Sequence, residues 1–191
     1  MNPLTIDTTE TLSDKSVAIL NELQAAIGFT PNIFTVVAQS PTVLEAFVNL
    51  NQSFAAGTLT SEEQQLILLI ASTENDSGYC VAGHTSFAES LSISADLVYD
   101  ARARQPMADE RLNALNTVVR SLIKNKGHVS SKDLSEFYRV GYTQAQFLEV
   151  LLGISIKTIS NFASLALNIP LDNQFKPFSW SCIHSVKKSA A

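Results

Sequence analysis

The segment from Ser77 to Thr85, SGYCVAGHT, places a cysteine four residues before a histidine. In a helix, Cys80 and His84 would lie on one face, about a turn apart. A cysteine reacts as its thiolate, and a neighbouring imidazole can take the proton or stabilise the anion. The spacing therefore indicates a thiol site with His84 as the partner of Cys80. It is equally compatible with a small buried cysteine packed beside a hydrogen-bonded histidine.

The position of Cys80 in its predicted helix adds to the thiol interpretation. The turn-forming residues ENDSG precede it, so the pattern predicts a helix from Tyr79 to about Ser90. Cys80 then falls in the first turn, where free backbone N–H groups and the helix dipole favour a negative charge. Gly78 and Gly83 are expected to leave the thiol open to a substrate.

Helical periodicity predicts the elements that hold this segment in place. Apolar residues recur at spacings of three and four along most of the chain, which is typical of helices. The helix boundaries are marked by serine or threonine caps, by Pro41 at a first helical position and by Gly28 as a stop. The predicted helices begin after Ser13, near Pro31, after Ser40, Thr60 and Ser94, within DERLNALNTVVRSLIKNKG, and within SSKDLSEFYRVG and TQAQFLEVLLGISIKTISNFASLALN. Since no segment alternates as a half-buried strand would, the sequence predicts an all-α protein with an N-terminal helical arm.

Composition narrows the function classes. The 191 residues are 46% apolar and 16% charged, with a net charge of −5, which fits a lightly charged protein that buries extra surface in a homo-oligomer. The acidic balance without a basic cluster argues against nucleic acid as a partner. The longest apolar stretch, Leu66 to Ala71, is too short to span a bilayer, and the N-terminus lacks the pattern of a signal peptide. We therefore expect a cytoplasmic protein without a membrane partner.

The stretch LTSEEQQLILLIASTENDSGYCVAGHTSFA resembles the carboxymuconolactone decarboxylase/AhpD-like family. PNIFTVVAQSPTVLEAF, the block from Gly127 to Asp172, and FKPFSW are similar to the arm, C-terminal block and tail of its peroxidase-related members. The resemblance implies an all-helical trimer or hexamer that reduces peroxides through a C-x-x-C-x-x-x-H motif and a glutamate relay. It divides the chain into an arm (1–55), an AhpD-like domain (56–172) and a tail (173–191).

The match to that motif is partial. Cys80 aligns with the second motif cysteine and His84 with the histidine, but Ser77 stands in place of the first cysteine and Gln65 in place of the relay glutamate. A serine cannot close a disulfide, and a glutamine cannot accept a proton at neutral pH. Glu62, one turn before Gln65, is a candidate replacement for the relay carboxylate, although glutamates often begin helices as partners of the dipole.

A one-thiol oxidoreductase is compatible with these departures. A peroxide would oxidise Cys80 to a sulfenic acid, which a second thiol would then reduce. Cys182, a small-molecule thiol or a redoxin could supply that thiol, although Cys182 is more simply an exposed thiol in a loose tail. No cofactor is expected. A zinc site joining Cys80 and His84 to His128 or His184 would lack the usual paired ligand spacing, so no metal is expected either.

Two other functions stay open. The loss of a thiol at Ser77 and of a carboxylate at Gln65 also fits a catalytically silent helical oligomer that acts as an interaction module. A non-redox lyase of the decarboxylase branch would use His84 as acid and base, but the sequence has no clustered arginines for a dicarboxylated lactone.

Overall fold

A computed structural model describes residues 12–181 of the chain. In that part the protein contains nine α-helices and one short 3-10 helix, and no strand. The helices are α1 (Asp14–Ile27), α2 (Asn32–Val37), α3 (Pro41–Ala55), α4 (Ser61–Glu74), α5 (Gly78–Ser90), α6 (Ala95–Ala103), α7 (Glu110–Lys124), α8 (Ser131–Arg139) and α9 (Gln144–Ala166), with the 3-10 helix at Lys176–Phe178. The all-α prediction is confirmed.

Local cap chemistry sets most of the helix starts. The Thr60 side chain accepts from the Glu63 N–H while Glu63 bonds back to the Thr60 N–H, which is a full capping box at the start of α4. Ser40 caps α3, with Pro41 in its first turn. Gly28 ends α1 with a φ of 89°, a left-handed conformation that glycine adopts without strain. These boundaries agree with the caps predicted from sequence.

Helix α4 is the centre of the core. Every residue from 66 to 73 is buried, and the helix packs against α5, α7 and α9. A helix surrounded in this way is apolar on all sides rather than along one stripe, which explains the run LILLIA.

The N-terminal helices close one side of this core. Leu44, Phe47 and Phe54 of α3 share the hydrophobic core with α4 and α9. A Cβ atom at Gly153 of α9 would lie 2.8 Å from Ile67 and 2.9 Å from Phe54, so the close approach requires glycine there. The division into residues 1–55, 56–172 and 173–191 stays a prediction.

Helix α9 has the length and apolar composition of a membrane-spanning helix, alone among the described helices. A central helix of a bundle meets the same criteria. Packing of α9 against α3, α4 and α5 buries Val150, Gly153 and Ile156 within the fold.

The segment after α9 folds back over α5 and α6. Phe175 is buried, and its ring would lie 3.3 Å from a Cβ atom placed on Gly83. A Cβ on Gly78 would lie 3.0 Å from the backbone oxygen of Trp180. The C-terminal segment therefore packs against both glycines, so the expected open approach to the thiol does not lie on this side of α5.

Candidate active site

A cavity of about 450 Å³ lies between α1, α2, α3, α4, α5 and α9. Its lining is mostly aliphatic and aromatic, and its polar groups are few: Asn51, Gln52, Gln65, Tyr79, Cys80, His84, Lys157 and Ser160. A pocket of this size, apolar with a few polar side chains, is typical of a small-molecule site. Leu23, Ala26 and Ile27 bring α1 over one side of it.

Cys80 lies in the first turn of α5, as predicted, and its side chain faces the cavity. The residue is 4% exposed. Ser77 is the N-cap of α5, and its Oγ accepts from the Cys80 N–H at 3.3 Å. The other backbone N–H groups of this turn supply the positive end of the helix dipole close to the sulfur.

Ser77 has a structural role where the family motif has a thiol. Its Oγ lies 2.8 Å from Ser164 Oγ of α9, and Cys80 Sγ lies 4.0 Å from the same hydroxyl. Both serines are buried. The hydroxyl of Ser77 therefore ties the start of α5 to α9.

His84 and Gln65 meet as the motif alignment predicted. His84 Nδ1 lies 3.1 Å from Gln65 Oε1, although the two residues are on different helices. On its other side, His84 Nε2 lies 2.8 Å from Lys157 Nζ of α9. An Nδ1–H tautomer satisfies all three groups, because the lysine then donates to Nε2 and the ring donates to Gln65.

The electrostatic setting holds His84 neutral. Burial, followed by the charge of Lys157, places the pKa of His84 well below its ordinary value of 6.5. No contact between His84 and the Cys80 sulfur is seen in the described residues. At neutral pH the ring is therefore an uncharged hydrogen-bonding link between Gln65 and Lys157.

Lys157 is the site residue that the sequence analysis missed. It is 3% exposed, its amine is hydrogen-bonded to His84, and it lines the cavity together with Cys80. Burial lowers the pKa of Lys157 below 10.5, and the nearby Cys80 acts in the opposite direction. A signal was present, since Lys157, Ser160, Asn161 and Ser164 form a polar stripe on one face of an apolar helix.

Tyr79 fixes the other edge of the site. Its hydroxyl donates to Asp172 at 2.5 Å and accepts from the Ile33 N–H at 3.1 Å. Burial and then the bond to Asp172 raise the pKa of Tyr79 far above its ordinary value. The phenol therefore joins α2, α5 and the C-terminal segment. Its proton is held in the hydrogen bond to Asp172 and does not take part in catalysis.

The remaining candidates are not part of the described cavity. Glu62 does not line it, and the adjacent buried carboxylate, Glu63, is bonded to Thr60, Arg111 and Tyr142 instead. His128 is exposed beyond the end of α7. Cys182 and His184 lie outside the described residues. Within residues 12–181, no group of three or more His, Cys, Asp or Glu residues could hold a metal ion.

Comparison with known proteins gives matches by fold but none by sequence. No protein-family model matches the sequence, and no curated protein is detectably similar. Solved structures do match. An AhpD-core, peroxidase-related protein from Ralstonia eutropha JMP134 has a TM-score of 0.79 at 20% identity, covering 92% of this chain and 96% of the other. A peroxidase-related protein from Silicibacter sp. TM1040 has a TM-score of 0.78 at 16% identity, covering 92% and 95%.

A third structure of this kind carries a ligand. A variant of the debrominase Bmp8 in complex with 2,3,4-tribromopyrrole has a TM-score of 0.74 at 19% identity, covering 90% of this chain and 96% of the other. The chain therefore has the all-α AhpD-like fold, which confirms the fold that the motif resemblance implied. At these identities the likeness extends to the fold and not to the activity.

Proposed function

We propose that this protein is a thiol-dependent oxidoreductase that reduces a small organic peroxide through Cys80. The observation that carries the proposal is the placement of Cys80. It lies at the start of α5, on the wall of an apolar cavity that it shares with a buried lysine, and that lysine is hydrogen-bonded to a neutral histidine. The helix dipole favours a negative charge on a thiol at this position, and the lysine amine is the polar partner on the same wall.

The chemistry needs one protein thiol. The Cys80 thiolate attacks the terminal oxygen of the peroxide ROOH, the O–O bond breaks, and the alkoxide leaves as the alcohol ROH after it takes a proton. Cys80 is left as a sulfenic acid. A reductant thiol then forms a mixed disulfide with Cys80 and releases water. A second thiol releases Cys80 as the reductant disulfide forms.

The cavity favours an organic substrate over hydrogen peroxide. About 450 Å³ of largely aliphatic and aromatic lining would leave most of the space unused around a molecule of two oxygen atoms. Binding energy in such a pocket comes mainly from burial of apolar ligand surface. We therefore propose an alkyl or aryl hydroperoxide as the substrate class.

A second candidate is reductive removal of a halogen from a small ring. The apolar cavity and the likeness to the fold of a debrominase both favour it. In that reaction a carbon–halogen bond becomes a carbon–hydrogen bond, hydrogen halide leaves, and two thiols become a disulfide. The same cysteine would serve, so the two candidates differ in substrate and not in the residue that reacts.

Two non-redox functions compete with these. A silent interaction module predicts that Cys80 does not react selectively. A lyase of the decarboxylase branch predicts turnover that survives loss of the thiol, although Lys157 is the single cationic side chain that lines the described cavity and no arginine lies there.

The test is turnover of cumene hydroperoxide with a dithiol reductant. We expect activity in the wild type and in Cys182→Ser, and a loss of at least about a hundredfold in Cys80→Ser, since the nucleophile is removed. If Cys182→Ser alone abolishes turnover, the tail thiol is the resolving partner. The same three proteins with tribromopyrrole test the second candidate. Equal background rates for all three proteins and both substrates would contradict a thiol oxidoreductase.

A further inference from the structure

The feature that the proposed function leaves unexplained is a buried amine in an apolar cavity. Lys157 is 3% exposed, and none of the carboxylates in the described residues forms an ion pair with it. No aspartate or glutamate lines the cavity. An isolated buried ammonium is strongly unfavourable, so a neighbouring group must either carry the compensating charge or hold the amine neutral.

The titratable groups that line the cavity with Lys157 leave one candidate for the group that carries the compensating charge. From α5 they are Cys80, His84 and Tyr79, while α4 contributes the uncharged Gln65. The lining residues of α1, α2 and α3 carry no charge. The Tyr79 proton is committed to Asp172, and His84 is itself a base. Among these groups, Cys80 is the acid that can give Lys157 a proton.

We infer that Lys157 is the proton acceptor of Cys80 and the acid of the following step, and that His84 is a positioning residue that acts through Lys157. The return of the proton to the alkoxide rests on the proposed function, whereas the transfer from Cys80 to Lys157 does not. It reassigns the activating group from the motif histidine to a lysine of α9.

The hydrogen-bond chain supports this assignment of roles. Gln65 accepts from His84 Nδ1, so Nε2 of the neutral ring has only a lone pair to offer and accepts from Lys157 at 2.8 Å. That bond holds one N–H of the lysine and fixes the direction of the others. Lys157 and Cys80 line the same cavity, so the N–H groups of the amine that His84 does not hold are free to face the sulfur there.

The proton balance closes over one oxidation. The S–H proton of Cys80 moves to Nζ, which gives a thiolate and an ammonium with no net change in buried charge. When the thiolate attacks the peroxide oxygen, the ammonium returns this proton to the departing alkoxide. The products are the sulfenic acid, the alcohol and a neutral lysine, and no proton has to be taken from water inside the cavity.

The experiment measures alkylation of Cys80 by iodoacetamide between pH 6 and 10, in a Cys182→Ser background so that one thiol reports. We expect Lys157→Met to slow alkylation at neutral pH by at least about tenfold, because the variant removes the group that takes the proton from the reacting thiol. The profile should move to higher pH and reach the same plateau. His84→Gln should move the pH profile of alkylation less than Lys157→Met does. Lys157→Arg should keep the thiolate but slow the reaction with peroxide, since a guanidinium does not release a proton.

A wild-type profile in Lys157→Met would overturn the inference, and peroxide turnover in that variant would show that the proposed function stands without it. If Lys157→Met does not fold, isotope-labelled lysine observed by nuclear magnetic resonance in Cys80→Ala gives the same test. Lys157 should then lose its proton at lower pH than in the wild type. Identical titration of Lys157 with and without the thiol would also overturn the inference.

Discussion

The hydroxyl of Ser77 lies 2.8 Å from the hydroxyl of Ser164. Ser77 also caps α5 by accepting from the Cys80 N–H. Ser77, which stands where the motif has its first cysteine, therefore stabilises the fold by joining the start of α5 to α9.

Ser77→Ala should lower the free energy of unfolding by about 1–2 kcal/mol, because it removes a cap and leaves a buried hydroxyl with one partner fewer. Urea denaturation measures the change. Ser94→Ala is the matched control, since Ser94 precedes α6 in the same way but its side chain makes no cap hydrogen bond. Equal losses in the two variants would show that the Ser77 contacts contribute little.

Ser77→Cys should permit a disulfide with Cys80, because a cap residue and the third residue of the helix can meet the required Cα separation. Adding Gln65→Glu restores a titratable group 3.1 Å from His84 Nδ1. We expect dithiol-driven peroxide turnover in the double variant to exceed that of either single variant, and a general acid–base carboxylate allows on the order of 10²–10⁴-fold.

Mass spectrometry of the peroxide-treated protein checks the bond, and steady-state kinetics checks the turnover. A double variant that forms the disulfide yet shows no turnover would mean that the pocket is not suited to peroxide chemistry. The silent-module interpretation would then be favoured.

Acid should destabilise the protein through His84. Its pKa in the folded state is well below 6.5 because the ring is buried, whereas in the unfolded chain it has its ordinary value. Between these two values the unfolded chain binds a proton that the folded protein does not, so the free energy of unfolding falls as pH falls below 6.5, by up to about 1.4 kcal/mol per pH unit.

His84→Gln should flatten this dependence, and thermal unfolding between pH 7 and 5 measures it. His128→Gln serves as control, because His128 is an exposed histidine away from the cavity. The same slope in wild type and His84→Gln would contradict the neutral, buried imidazole.

The homo-oligomer stays a prediction, and one face of α9 suggests where it would form. Leu148, Phe162 and Leu165 are 60%, 57% and 46% exposed along that helix. We expect a trimer or hexamer in light-scattering chromatography at micromolar concentration, and a smaller species for Phe162→Glu, because a buried charge would oppose association.

Lys132→Glu, an exposed substitution on α8, should leave the mass unchanged. A monomeric wild type would contradict the prediction outright.

The helices could be predicted because their signals are local. Caps such as Ser13, Ser40 and Thr60 act within three residues, so their chemistry can be read from a short segment. The meeting of Gln65 with His84 could be placed only through the motif resemblance, since the two residues lie on separate helices.

Lys157 could not be placed by the same reasoning. It lies 73 residues from His84 in sequence, and a lysine in an amphipathic helix is ordinarily read as a solvent-facing group. Only the packing of α9 against α4 and α5 turns it inward. The polar stripe that it shares with Ser160, Asn161 and Ser164 was the available signal.

The chemical state of Cys80 after one equivalent of cumene hydroperoxide tests the one-thiol mechanism most directly. We expect a sulfenic acid at Cys80, trapped by dimedone and located by peptide mass spectrometry, which disappears on addition of a dithiol and is absent in Cys80→Ser. An unmodified Cys80 under conditions that oxidise Cys182 would contradict it.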